Sequence, residues 1–317
     1  MPLVNYIPET FHIPFMRGRH WSFPLSAALT LLSVFGFLVF GLDVGIDFKG
    51  GTLIEVQAAA PVADIGRVRD IVTGLNVGDV QIQEFGSPRE LLIRIGAAGA
   101  ESGGTATADA VRNALGSDFT IRRVEVVGPS VSDELVQQSV LAILLGTLMI
   151  LAYVWFRFEW QFAVGAMVTT LHDIVLVIGL YAWLQIDFDL TSIAAILTIL
   201  GYSLNDTVVI YDRIRDMLRK YKRMSIGEIL DNSINATFSR TIIVAATTFF
   251  ATTALYLFGG EVLRGFSLAM LFGVVVGTYS TILIAAPILI YLGVRATADA
   301  PEREAKPAKG KPARAAA

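Results

Sequence analysis

Residues 191–211 read TSIAAILTILGYSLNDTVVIY. At about 1.5 Å of rise per residue the stretch can cross a bilayer core about 30 Å thick. It nonetheless carries a carboxylate, Asp206. An ionisable side chain inside an apolar span is costly, and is by default a functional group. On a helical wheel Thr198, Gly201, Tyr202, Asn205 and Asp206 fall within an arc of about 140°, and Ile199, Leu200, Leu204 and Val208 lie outside it. The pattern predicts a spanning helix whose polar stripe faces a bundle interior or a wet cavity, with the remaining faces free to meet lipid. Asp206 sits six residues before Asp212, about 9 Å from the inner end of the span. A carboxylate there is balanced between desolvation, which favours the neutral acid, and any nearby arginine, which favours the charged form.

Working outward, five more stretches are long and apolar enough to span: 22–41, 138–156, 161–183, 241–258 and 265–293. The expected fold is an integral membrane α-helical bundle of six transmembrane helices. Composition agrees: the 317 residues are 54% hydrophobic and 17% charged, with a mean hydropathy of +0.61, against about 25% charged in soluble domains. A net charge of −3 leaves no basic footprint for nucleic acid. The chain has no cysteine, and its three histidines, His12, His20 and His172, are scattered. Disulfides, iron–sulfur clusters and cysteine–zinc sites are excluded, and neither metal nor cofactor is expected. The first stretch follows Arg17 and Arg19, but it is too long for a signal-peptide core and lacks a small-x-small cleavage site, so it reads as an uncleaved anchor.

Lysine and arginine set the expected orientation. The 212–240 loop holds Arg213, Arg215, Arg219, Lys220, Lys222, Arg223 and Arg240, and the segment after 294 holds Arg295, Arg303, Lys306, Lys309, Lys311 and Arg314. Both belong in the cytoplasm, as then does the N-terminal segment 1–21. Residues 294–317 read as a disordered basic tail able to touch anionic membrane lipid. The 42–137 segment lies outside, with 14 acidic and 8 basic residues. Its pattern is strand, helix, strand, strand, helix, strand: 51–57, 61–75, 80–85, 91–95, 106–115 and 119–127. That order predicts an α+β ferredoxin-like domain, periplasmic in a bacterium, between helices 1 and 2. In the 212–240 loop the capping box Ser225-x-x-Glu228 precedes a stripe of Ile226, Ile229, Leu230, Ile234 and Phe238, which predicts a short amphipathic helix along the membrane face.

Further polar groups lie in the spans. Thr169, His172 and Asp173 share a face of span three. Arg240 opens span five, either as a partner for Asp206 or as an ordinary positive-inside anchor. Gly273 and Gly277 form a GxxxG, read as close helix packing, and Pro287 bends the same span. Gly50 and Gly51 form either a hinge below the external domain or the tight turn that starts its first strand.

Two of these segments resemble a known family. Gly45-Ile46-Asp47-Phe48-Lys49-Gly50-Gly51-Thr52 and Gly201-Tyr202-Ser203-Leu204-Asn205-Asp206-Thr207-Val208-Val209-Ile210-Tyr211-Asp212-Arg213-Ile214-Arg215 are similar to signatures of the SecD/SecF translocase subunits. Leu171-His172-Asp173 and the segments 257–260 and 263–267 agree. The single short external domain matches the SecF-type members rather than the larger SecD type. The resemblance covers roughly residues 20–293. It implies half of an RND-type transporter in the bacterial inner membrane and a heterodimer with SecD. It also implies association with SecYEG and YajC, and use of the proton-motive force to assist exported preproteins on the outer side. Residue by residue, it implies that Asp206 is the proton-path acid and Arg240 its partner, with Asn205 beside the acid. Tyr202, Thr198, Asp173 and His172 complete the candidate path for protons. The chain is expected to be no enzyme: a Gly-x-Gly-Asp motif, needed for an intramembrane aspartyl protease, is absent beside Tyr211-Asp212. The alternatives are a scaffold that stabilises SecD without ion flux, and an RND-type exporter of a small molecule or lipid.

Overall fold

The computed structural model describes residues 12–96 and 104–294. The basic tail 295–317, the first residues of the N-terminal segment and Gly103 lie outside the described residues. Six helices are long and apolar enough to cross a bilayer, in the order the apolar stretches imply.

Helix α1 (Arg19–Phe40) leads to a short turn of helix α2 (Ile46–Lys49) and strand β1 (Gly51–Ala58), then α3 (Ile65–Gly74), β2 (Val80–Phe85), β3 (Ser87–Gly96), α4 (Gly104–Leu115) and β4 (Phe119–Val127). The sheet is antiparallel in the order β2-β3-β1-β4, the ferredoxin-like arrangement. Alternation splits its residues between two faces. Ile54, Val56, Leu91, Ile93 and Ile95 are buried with Val68 and Val72 of α3 and Val111 and Leu115 of α4. The other face carries Leu53, Glu55, Gln83, Leu92, Arg94, Arg123 and Glu125, in register across the strands. It looks onto the turns at one end of the bundle, across a cleft that also touches Asp187 and Glu261. Helix α3 begins at Ile65 rather than at Pro61. Asp64 is extended, and its side chain accepts from the Arg67 N–H at 3.0 Å, so the cap stands three residues past the proline.

The chain returns through α5 (Pro129–Arg157), α6 (Trp160–Leu184), α7 (Leu190–Lys220), α8 (Ile226–Phe258), α9 (Arg264–Ser280), a π turn over Thr281–Ala285 and α10 (Ala286–Tyr291). In their most apolar windows, α6, α7 and the span containing α9 are 50%, 50% and 61% buried, against 17%, 11% and 11% for α1, α5 and α8. Helices α6, α7 and α9 therefore form the inside of the bundle. Pro287 has a visible consequence. It has no N–H to give the carbonyl four residues back, that of Leu283; Ser22 Oγ of α1 donates to that oxygen instead, at 2.8 Å.

The amphipathic segment after Ser225 is not a separate helix along the membrane face. It is the first turns of α8, which runs unbroken to Phe258. The capping box forms, and Ile229, Leu230 and Ile234 pack against Tyr211, Ile214 and Leu218 of α7 in a core at the end of the bundle away from the sheet. No proline lies between 226 and 258 to stop the helix. The segment 13–16 straps across these turns, with Asn235 exchanging hydrogen bonds with the Ile13 backbone at 3.0 and 2.9 Å and Asp231 accepting from the Met16 N–H.

Candidate functional site

The contact between α7 and α9 sets the geometry. A Cβ at Gly273 would lie 2.5 Å from Ile199, and one at Gly277 would lie 3.0 Å from Ser203 Cβ. Two missing side chains, one turn apart, let the backbones approach and draw Ile199 and Ser203 inward. This overturns the expected facing of α7. Ile199 and Leu200, assigned to lipid from the wheel, are 1% and 2% exposed. Thr198, Gly201 and Asn205 turn out of the chain instead, and Tyr202 is half-buried. The polar arc is divided, with Asp206 on the inner side. A wheel shows which residues share a face, but not which face a neighbour's glycines will receive.

Asp206 is 2% exposed. Its Oδ2 is buried with no hydrogen-bond partner among the described residues. Arg240 of α8 is exposed, and among the described residues it forms no ion pair with Asp206.

Asp173 of α6 is in the opposite condition. It is fully buried. Its Oδ2 accepts from Ser203 Oγ of α7 at 2.6 Å and from Ser280 Oγ of α9 at 2.9 Å, and its Oδ1 lies 3.1 Å from His172 Nδ1. The carboxylate thus joins the three innermost helices. A hydroxyl cluster continues inward: Thr281 Oγ1 meets the Ser203 carbonyl at 3.3 Å and Thr207 Oγ1 at 2.9 Å. The cluster ends at Thr207, next to Asp206 in the chain. Thr169 closes back on its own helix, bonding the carbonyls of Gly165 and Ala166. The seam residues Ser203, Thr207, Ser280 and Thr281 were not among the expected site residues. Their signal was available as hydroxyls inside apolar spans, and Thr281 opens a π turn, a feature frequent at functional sites.

At the end of the bundle beside the sheet the GG segment forms a collar on the α6–α7 turn. Gly45 N–H donates to the Phe188 carbonyl at 2.9 Å, and Phe188 N–H donates to the Asp43 carbonyl at 2.7 Å. Asp47 accepts from the Leu190 N–H, at the start of α7. Burial pushes its carboxyl up, against that bond. Burial also pushes Asp187 up, against the bond and charge of Arg94. Gly50 and Gly51 follow, at φ 70° and 135°. Both values lie in the region that glycine alone enters freely. A Cβ on Gly51 would collide with the Ile95 carbonyl oxygen. Among the described residues no group of histidine and carboxylate side chains could hold a metal ion.

Comparison with known proteins gives the same picture along the chain. The family "Protein export membrane protein SecD/SecF, C-terminal" matches residues 107–295, and the "SecD/SecF GG Motif" matches residues 35–62. Protein translocase subunit SecF of Rickettsia rickettsii is 43% identical over 291 residues, covering 90% of this chain and 94% of that protein. Protein translocase subunit SecDF of Brucella abortus is 42% identical over 293 residues, covering 92% of this chain and 39% of that protein. The crystal structure of SecDF, a translocon-associated membrane protein from Thermus thermophilus, matches with a TM-score of 0.83 at 31% identity, over 91% of this chain and 40% of that one. The chain therefore spans nearly all of the Rickettsia relative and about two fifths of the two SecDF chains.

Proposed function

Because this chain belongs to the SecD/SecF family of protein export membrane proteins, we propose that it works as the SecF-type half of a proton-driven unit completed by SecD. The unit assists preproteins leaving SecYEG on the outer side of the bacterial inner membrane, with YajC as an associated subunit. In this reading both termini are cytoplasmic and the ferredoxin-like domain is periplasmic. Family members that carry SecD and SecF in one chain, as the name SecDF implies, support the pairing.

The observation that carries the proposal is Asp206: a carboxylate inside a span, buried, with one oxygen lacking any partner among the described residues. Burying an unpaired charge is costly, so such a group gains most from either a proton or a guanidinium. Asp206 takes a proton arriving from the outer side. Arg240 is then released, and α7 and α8 shift against each other. The proton leaves inward and Arg240 returns. One charge crossing about 100 mV supplies about 2.3 kcal/mol, a bias of about fiftyfold at 1.4 kcal/mol per decade. That is enough to give a domain movement direction. It is small for unfolding a folded cargo, so the passenger is an unfolded chain.

The outward stripe of Ala194, Thr198, Gly201 and Asn205 is the surface we assign to SecD, since small and polar residues are what spanning helices use to pack on one another. Asp173, already holding three partners, serves as the fixed joint of α6, α7 and α9, with His172 at its side. Gly50 and Gly51 act as the turn that starts β1.

The test is proton flux and preprotein translocation in membrane vesicles containing the complex with SecD and SecYEG. Asp206→Asn abolishes proton flux and potential-driven translocation together, and Asp206→Glu retains part of both. Unchanged flux with unchanged translocation defeats the assignment. If Asp206→Asn and Arg240→Met lower export only in proportion to SecD abundance, the chain is a scaffold.

A further inference from the structure

Arg94 stands out among the charges that the proton site does not use. It lies on β3, on the sheet face turned away from the domain core, opposite Leu53 and Gln81. Arginine on an exposed face ordinarily points to water, yet Arg94 is 8% exposed. Its guanidinium pairs with Asp43, at 3.4 Å, and with Asp187. Asp43 belongs to the collar after α1, and Asp187 belongs to the turn between α6 and α7. Among the described residues, these are the ion pairs that cross from the sheet to the bundle; the others lie within one part.

The collar itself is already fixed to α7. Gly45 N–H donates to the carbonyl of Phe188 in the turn before α7, Phe188 N–H donates to the Asp43 carbonyl, and Asp47 accepts from the Leu190 N–H at the start of the helix. Phe188 is also wedged between Phe48 of the collar and Tyr181 of α6, with ring centroids 6.1 and 5.3 Å apart. The sheet, by contrast, is joined to this collar through Gly50 and Gly51, two glycines with little intrinsic stiffness, and leaves for α5 through Gly128. Without a cross-link the sheet can pivot on those points while the collar follows α7. Arg94 supplies the cross-link. Its two partners come from the collar and from the turn before α7, both on the far side of the glycines from the sheet.

We propose that Arg94 is the positioning residue that makes the external domain move as one body with the outer end of α7. It transmits to the domain whatever displacement α7 makes. This rests on the proposed function for its consequence in export, but the mechanical link can be measured without it. The chain has no cysteine, so a spin-label pair can be placed at Asn113→Cys on α4 and Leu190→Cys at the start of α7, both exposed.

In the full chain with native Arg94, the label-to-label distance distribution is expected to be narrow. Arg94→Gln should widen it about twofold, as a hinge is freed. The charge-exchanged double variant Arg94→Asp with Asp187→Arg should narrow it again. In vesicles of the complete complex, Arg94→Gln should lower preprotein translocation about tenfold, while proton flux per complex stays at the wild-type level. An unchanged distance distribution in Arg94→Gln, or no narrowing in the exchanged pair, overturns the link. So does a parallel fall of translocation, flux and SecD abundance, which marks general damage. Unchanged flux in Asp206→Asn sinks the proton reading but leaves the distance result standing.

Discussion

The inner half of α7 and its outer end treat buried charge in opposite ways. Asp206 is buried with one oxygen unpartnered among the described residues. At the end beside the sheet, Asp43 and Asp187 pair with the two terminal nitrogens of Arg94, and Asp47 accepts from the first N–H of the helix. Leaving a buried polar atom unmade costs about 1–3 kcal/mol, and more for a charge. A fully partnered group resists change, whereas an unpartnered one responds to any proton or counter-charge that reaches it. Under the function proposed above, the comparison separates the part of α7 that switches from the part that holds. Asp173 of α6, which meets α7 at Ser203, belongs with the holding part by its three bonds.

The largest effect should come from removing the switch. Asp206→Asn should abolish potential-driven proton flux in complex-containing vesicles, because the amide cannot take up and release the proton. A stable complex with normal flux would erase the distinction drawn above. Next is the hold at mid-bundle. Gly273→Leu drives a side chain into Ile199 and should lower the thermal midpoint of the detergent-solubilised chain, by about 1–3 kcal/mol of overpacking. Asp173→Asn should cost about as much, because Ser203 and Ser280 lose a charged acceptor. Its proton flux per folded complex should nonetheless remain; flux lost at unchanged stability would move Asp173 to the switching side. Gly51→Ala should destabilise the external domain by about 1–3 kcal/mol through its strained φ and the Ile95 carbonyl, read as faster hydrogen exchange in β1 and β3. The smallest effect belongs to Ser225→Ala. Loss of that cap should cost about 1 kcal/mol, seen as faster exchange over residues 226–230 with transport unchanged.

Much of this molecule can be read along the chain. The six spans follow from runs of apolar residues, and the ferredoxin-like order follows from a change between period-2 and helical spacing. Asp206 is conspicuous as a charge in a span. The misreadings share one cause. The facing of α7 depends on Gly273 and Gly277, some seventy residues away. The continuity of α8 depends on Ile229 and Ile234 finding a seat beside Tyr211. Ser203 and Ser280 became site residues because Asp173 reaches both from a third helix. Arg94 looks like any solvent-facing strand residue until Asp43 and Asp187 close on it from elements 51 and 93 residues distant in sequence.

What belongs to the chain alone is therefore local: which segments leave water, which turn, which cap, and which carry a charge where charge is expensive. These follow from side-chain hydration and backbone geometry within a few residues. The tertiary structure decided which of those charges would be answered. An ion pair or a hydroxyl bond needs two groups within about 3 Å, and only the packing of helices and sheet sets that distance. Packing answered both oxygens of Asp173 and the two terminal nitrogens of Arg94, and left an oxygen of Asp206 without a partner among the described residues.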